Sequence, residues 1–299
     1  MPFKYVIERF EGFARNLKLT DRQVADALTK FKGIATCLNW AYRGMGSPTD
    51  NAFLIGGWAK ETAIRPPRDV DMYYLLPTEV YARYEGYGAG VNKQSTLLQE
   101  VKRKLLASYP RSGIKGDGPV VVADFHGWTV EIVPAFRWNN GEGSYIVCDT
   151  KNGGSYIKTM PHDEVDYINA ADKRNNNNAR PLIRMLKCWQ ANCNVPIKSF
   201  HLELLAVAFL DQWQHRDQGV IYYDYMCRDF FKWVLTRVNG LLLTPGTFDI
   251  NWLGDAWKSR AESAYSRAAK ACQYEHDDMP YSAGDEWQKI FGNDIPGIG

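Results

Sequence analysis

The chain has 299 residues, 45% of them apolar and 23% charged, with a formal net charge of +2. That length supports one bilobal unit or two small domains, and the near-neutral charge does not diagnose nucleic-acid binding. No run approaches 18 apolar residues, the start Met-Pro-Phe-Lys-Tyr lacks a secretory pattern, and the six cysteines have no C-x-x-C spacing, so a cytoplasmic protein with reduced thiols and no membrane segment is expected.

Residues 5–46 read as helical, first over about 6–16 and again from Thr20, where Asp21 and Gln23 supply a partial capping signal. Val24, Leu28, Phe31, Ile34, Leu38 and Tyr42 recur at three- and four-residue intervals and form a core-facing stripe. A turn over 46–50 precedes a first strand over 51–55. Gly56-Gly57 then forms a tight turn, a short helical piece covers 58–62, Pro66-Pro67 breaks the chain, and a strand opens at Asp69-Val70-Asp71.

Side chains alternate faces along a strand, so Asp69 and Asp71 point the same way, roughly 6 to 7 Å apart, while Val70, Met72 and Tyr74 face the core. An isolated pair of this kind reads as the solvated face of an edge strand. Two carboxylates so placed repel each other unless a cation lies between them, and hard oxygen ligands suit Mg²⁺ when phosphate oxygens complete its shell. The context favours the second reading. Glycines let a backbone present its N–H groups to phosphate, a following helix N-terminus adds to that, and Thr62 and Arg65 lie between the glycines and the carboxylates.

After the Asp strand a helix is expected over about 94–108, with Leu97, Leu98, Val101 and Leu105 on one face, followed by a loop over 110–119. Residues 120–136 form a hairpin turning at His126-Gly127. On its second strand Thr129, Glu131 and Val133 share one face. Glu131 is thus a lone carboxylate in an apolar strand, costly unless paired or bound to metal. A third carboxylate is what a two-metal phosphoryl-transfer site needs beside a D-x-D pair.

Residues 137–165 are expected to be loops with a short strand at Tyr145-Ile-Val-Cys148, and the polar run Asn175–178 to be a linker or lid. Helices follow from Pro181, over 200–214, over 222–239 and over 255–274, the last with Ala256, Ala261, Ala264, Ala268 and Ala271 on a close-packing face. Helix and strand alternate in the first part and helices fill the second, which points to an α/β (α+β) chain: a mixed-sheet lobe over 1–175 and a C-terminal helical domain over 176–299.

Gly56-Gly57, Thr62-Ala-Ile-Arg65, Asp69-Val-Asp71 and Val130-Glu-Ile-Val-Pro-Ala-Phe136 resemble the motifs of polymerase-beta-type nucleotidyltransferases. So do Arg180-Pro-Leu-Ile-Arg-Met-Leu-Lys-Cys-Trp189, Ile197-Lys-Ser-Phe-His-Leu-Glu203 and Trp287-Gln-Lys-Ile-Phe-Gly292. Within that superfamily the chain is most similar to the bacterial relatives of cyclic GMP-AMP synthase, the CD-NTase cyclic-oligonucleotide synthases of anti-phage signalling. The blocks fall in the family's order and cover most of the chain. The resemblance implies a bilobal fold braced by a long N-terminal helix, with Asp69, Asp71 and Glu131 holding two Mg²⁺ ions, Mn²⁺ as a substitute. It implies that Gly56, Gly57, Thr62, Arg65, Lys187, Lys198 and Ser199 contact the nucleotide or its phosphates and that Phe200 stacks on a base, a role that plain helix packing serves equally well. Implied partners are nucleoside triphosphates such as ATP and GTP, an effector that reads the product, and regulatory proteins, with no stable nucleic-acid partner.

One departure stands out: the family has Gly-Ser at the turn, and Gly57 occupies the serine position. A hydroxyl contact to phosphate is therefore missing, and weaker phosphate binding is expected. His201 reads as a core or surface histidine, Lys60 as a solvent-exposed charge, and Trp58, Tyr73 and Tyr145 as possible acceptor-pocket rings. Linear oligonucleotide synthesis, modification of RNA ends or small acceptors, and a nucleotide sensor without turnover are the alternatives. The retained acidic triad speaks against the sensor.

Overall fold

The computed structural model describes residues 4–67, 69–88, 90–125, 127–138 and 143–298. In chain order the elements are α1 (Lys4–Leu17), α2 (Asp21–Arg43), β1 (Ala52–Leu54), α3 (Gly56–Ala59), β2 (Asp69–Leu75), α4 (Thr78–Glu85) and α5 (Lys93–Ser108). Then come β3 (Gly113–Asp117), β4 (Val120–Phe125), β5 (Trp128–Arg137), β6 (Tyr145–Asp149), β7 (Ser155–Thr159) and α6 (Pro161–Arg174). The rest is α7 (Ala179–Asn192), α8 (Ser199–Leu210), α9 (Tyr223–Val234), β8 (Leu241–Leu243), β9 (Ile250–Trp252), α10 (Lys258–His276) and α11 (Pro280–Phe291).

Two compact units contain these elements. Leu19–Glu61 and Pro67–Glu164 form the sheet unit. The residues up to Lys18, Thr62–Pro66 and those from Val165 onward form the helical unit.

In the sheet unit, β2 and β5 run parallel at the centre of the order β1-β2-β5-β4-β3, and β6 joins β5 and carries β7. Strand alternation divides the sheet into two faces. Val70, Met72, Tyr74, Val130 and Ile132, each fully buried, pack under α2, α4 and α5. Tyr73, Leu75, Val133, Ala135, Tyr145 and Val147 form a smaller apolar cluster on the opposite face. The capping box expected at the start of α2 is present: the Thr20 hydroxyl accepts from the Gln23 amide, and the Gln23 side chain accepts from the Thr20 amide. Its buried stripe is Ala27, Phe31, Ile34, Ala35 and Leu38, whereas Val24 is exposed and Leu28 half-buried, because the smaller Ala27 turns inward in their place.

Several elements depart from the sequence reading. The expected loop over 110–119 contains β3, paired antiparallel with β4. Only Ile114 of β3 is buried, so no apolar alternation marks it. α4 lies where no element was expected, and residues 137–165 hold β7 and the start of α6 besides β6. Gly127 remains in the hairpin turn with φ +82°, while His126 lies outside the described residues.

In the helical unit, α1 and α7–α11 enclose one core with the rings of Phe10, Phe13, Trp189, Phe231, Trp257, Trp287 and Phe291 at its centre. α8 is apolar all round and buried on nearly every side, as such a helix requires. Ala261, Ala264, Ala268 and Ala271 are buried along α10, as expected, and Ala256, ahead of the helix, is exposed. The asparagine run is an ordered connection within this unit rather than a lid or linker. Asn176 and Asn177 take positive φ, a region this residue type tolerates, while the Asn175 amide donates to Ala171 O and Asp211 Oδ1 and the Asn178 amide to Arg216 O and Gln218 O. A short β8–β9 hairpin completes the unit, and the sequence reading did not anticipate it.

Candidate active site

The parallel register of β2 and β5 brings the three carboxylates together. Asp69 pairs with Thr129 and Asp71 with Glu131, so the alternation that puts Asp69 and Asp71 on one face puts Glu131 directly beside Asp71. One ligand oxygen from each of Asp69, Asp71 and Glu131 lies within 4.8 Å of the others. All three are half-buried on the face that carries the smaller apolar cluster. Burial first, then the negative charges of Asp69 and Asp117, push the Glu131 carboxyl above the usual carboxylate range, while Lys115 opposes them. A set of hard oxygen donors under mutual repulsion is what a divalent cation relieves, so the residues present fit a metal.

The glycine turn is shaped around this cluster. Gly56 has φ +58°, a left-handed conformation that favours glycine. A Cβ at Gly56 would collide with Asp71 Oδ2 and stand 3.2 Å from its Cγ. The Ile55 amide donates to Asp71 O at 3.0 Å, tying the turn to the strand. The helix that follows is one turn, Gly56–Ala59, too short to add a useful dipole to an anion site; this corrects the expectation from sequence.

Trp58 was a candidate acceptor-pocket ring. Its indole instead donates to Asp69 O at 2.6 Å and packs against Trp128, fixing the strand where the first carboxylate begins. Tyr73 and Tyr145 lie on the carboxylate face, where Tyr73 Oη bonds Thr159 Oγ1 and Tyr145 Oη bonds His162 Nε2, each at 3.1 Å. Tyr73 lies two residues beyond Asp71 on β2, so strand alternation puts it on the carboxylate face. Lys60 is buried and paired with Glu164 Oε2 at 2.7 Å, not the solvated charge expected; the partner lies 104 residues downstream, which no local pattern reveals.

Thr62, Arg65, Lys187, Lys198, Ser199 and Phe200 belong to the helical unit. Thr62 is fully buried, and its hydroxyl donates to Glu203 Oε1. Lys187 Nζ donates to that same carboxylate oxygen at 2.6 Å, to Thr62 Oγ1 at 2.9 Å and to Thr62 O at 3.2 Å. Sequence reasoning gave Glu203 no role, although a carboxylate within the apolar run Leu-Glu-Leu-Leu was a signal of the same kind as Glu131. Arg65 donates from Nε to Asn16 O and from Nη2 to Arg15 O. Lys198 is exposed at the N-terminal end of α8, Ser199 Oγ donates to Gln190 Oε1 at 2.8 Å, and Phe200 is half-buried. His201 is buried, and burial together with the Lys198 charge lowers its pKa.

Comparison with known proteins gives the family of the chain and solved structures that share its fold. Residues 5–175 match the family described as the Second Messenger Oligonucleotide or Dinucleotide Synthetase domain. A protein named as a probable cyclic nucleotide synthase of Bacillus cereus (strain VD146) is 24% identical over 276 residues, which is 81% of each chain. Among solved structures, Escherichia coli MS115-1 CdnC, determined with HORMA-deltaN and with ATP, aligns with a TM-score of 0.66 at 18% identity over 96% of this chain and 98% of that one. Bradyrhizobium diazoefficiens CdnG in complex with GTP aligns with a TM-score of 0.68 at 12% identity, covering 96% of this chain and 95% of that one. At such identities the solved structures establish the fold, and the domain match establishes the family. The chain belongs to the Second Messenger Oligonucleotide or Dinucleotide Synthetase family and is a nucleotidyltransferase of that family.

Proposed function

We propose that this enzyme joins nucleoside triphosphates into a cyclic di- or trinucleotide messenger of anti-phage defence, with Asp69, Asp71 and Glu131 holding two Mg²⁺ ions or, in their place, Mn²⁺. The observation that carries the reading is the convergence of three carboxylates on one sheet face, with ligand oxygens within 4.8 Å of one another. Bound there, two divalent cations supply charge stabilisation to an in-line phosphoryl transfer and ease loss of the acceptor hydroxyl proton.

The chain's own residues supply the positioning. Gly56 leaves room for the Asp71 carboxylate, the Ile55 amide and Trp58 indole hold the two Asp residues' backbone, and backbone N–H groups of the Gly56-Gly57 turn face the phosphates. Lys198 and Ser199 neutralise and donate to the triphosphate, and Phe200 carries a base. Lys187 serves the same end, directly or by fixing Thr62. Arg65 holds its loop to the α1 end through two main-chain carbonyls. In domain terms, residues 1–175 are proposed as the catalytic core and 176–299 as the helical domain, although the residues up to Lys18, Thr62–Pro66 and those from Val165 pack within the helical unit.

ATP and GTP are the proposed substrates, since the related structures were determined with them. A regulatory partner protein is proposed because CdnC was determined with HORMA-deltaN, and an effector that reads the cyclic product follows from the same role in defence. No helix among the described residues is long and apolar enough to cross a membrane, and a cytoplasmic enzyme is proposed.

The test is incubation of purified protein with all four nucleoside triphosphates and Mg²⁺ or Mn²⁺, followed by phosphatase and mass spectrometry. A phosphatase-resistant species with the mass of joined monophosphates less water is the expected product. Linear products alone would contradict cyclisation. Bound nucleotide with no product under either metal would favour a sensor, the reading to which Gly57 in place of serine lends weight.

A further inference from the structure

We infer that the sheet unit carries a second binding site, remote from the acidic triad, for a nucleoside monophosphate. A cavity of about 530 Å³ opens at the far ends of β2 and β5. Its volume is that of small-molecule sites, about 300 to 1,000 Å³. Leu75, on its wall, lies four residues beyond Asp71 on β2, roughly 13 Å along the strand, so this is a separate site on the same two strands.

The lining chemistry defines the ligand. Arg43, the last residue of α2, and Arg137, the last residue of β5, both face the cavity. Arg43 Nη2 donates to Leu75 O at 2.9 Å and the guanidinium also interacts with the Tyr74 hydroxyl, which anchors it at the strand end beside the cavity. Two guanidinium groups match a phosphate monoester, which carries about −1.5 to −2 charge at neutral pH and accepts paired N–H bonds in the geometry arginine offers. The rings of Tyr81, Phe136 and Trp138 form the apolar wall. Trp138 keeps 46% of its surface exposed although its backbone is tied to Ser144 O at 2.9 Å, so a large ring stands at the rim without packing into a core. Aromatic faces of this kind hold a planar base by stacking. The exposed Glu79 lies on the same wall, where a carboxylate accepts from the amino or imino edge of a base and disfavours a longer polyphosphate.

None of these groups belongs to the triad or to its glycine turn, and none is used in the proposed reaction. With two guanidinium groups as its cations, the cavity takes a nucleotide without metal.

Equilibrium binding of AMP, GMP, CMP and UMP to the full chain in EDTA tests the inference, read by calorimetry and by tryptophan fluorescence. Wild type and Asp71→Asn are expected to bind at least one monophosphate saturably with equal affinity. Arg137→Ala is expected to weaken it about tenfold or more, and Arg43→Ala likewise. Arg137 is exposed, so its variant should melt with wild type; Trp138→Phe keeps binding and removes part of the fluorescence response. Absence of binding by all four up to about 5 mM, a weaker range than ordinary metabolite sites, would overturn the inference. So would binding that survives Arg137→Ala or disappears in Asp71→Asn, since either places the ligand elsewhere.

Discussion

Replacing Gly56 with alanine separates backbone strain from damage to the acidic triad. Gly56 has φ +58°, where a residue with a Cβ is destabilised by about 1 to 2 kcal/mol. That alone predicts a fall in melting temperature of a few degrees. The new methyl group also collides with Asp71 Oδ2 and sits 3.2 Å from Asp71 Cγ, so the carboxylate must swing aside. A displacement of about 1 Å in a reacting constellation costs roughly a hundredfold in rate. The internal control is Gly44, which ends α2 at φ +64° with nothing within 4 Å of an added Cβ. Gly44→Ala is predicted to lose the same stability and keep its rate, and Gly56→Ala to lose both. The assay is thermal unfolding of both variants beside initial rates of pyrophosphate release at saturating nucleotide. A Gly56→Ala enzyme within about threefold of wild type, against the hundredfold expected, would refute the reasoning, as would equal rate losses in the two variants.

Three further predictions address other sites. Gly57→Ser restores the hydroxyl that the family pattern places at the turn; a charge-assisted bond to phosphate predicts KM for nucleotide lower by about tenfold with little change in kcat, and an unchanged KM would remove Gly57 from the phosphate site. Lys187→Ala leaves Glu203 buried without its ammonium partner, which predicts a loss of about 3 to 5 kcal/mol in denaturant unfolding of the nucleotide-free protein; a loss under about 1 kcal/mol would mean the contact is incidental. Asp224 is buried and its carboxyl is pushed up to about 6 by that burial, against a partly offsetting bond from the Tyr225 amide. Its raised pKa makes a stabilising contribution that is complete below about pH 4, where the unfolded chain is also protonated, and is lost as pH rises through about 6. Asp224→Asn, neutral throughout, is therefore predicted to equal wild type near pH 4 and to exceed it above pH 6 by up to about 3 kcal/mol, with chemical unfolding across that range as the check.

The triad was legible because it follows from two rules of strands. Alternation fixed the common face of Asp69 and Asp71, and the cost of a lone carboxylate in an apolar strand singled out Glu131. What the spacing alone did not contain was the parallel register of β2 with β5, which sets Asp71 against Glu131 and depends on contacts between segments some 60 residues apart. Elements with few buried residues escaped notice: β3 buries only Ile114, and α4 buries only Val80 and Tyr84 across its eight residues. The asparagine run misled for a different reason. Its composition is that of a linker, yet its amides satisfy main-chain carbonyls and Asp211, so polarity there builds a fixed turn. Lys60 and Lys187 show the same limit. Whether a lysine meets solvent, phosphate or a buried carboxylate depends on a partner far along the chain, Glu164 for one and Glu203, with Thr62, for the other.

Product formation by wild type and Asp71→Asn, measured side by side with nucleoside triphosphates and Mg²⁺ after both are shown to melt alike, tests the central claim most directly. The account predicts a phosphatase-resistant cyclic product from wild type and its loss in Asp71→Asn, because the substitution takes one carboxylate from the set that would hold the metals. Equal yields from the two proteins would contradict the assignment of the triad as the catalytic centre.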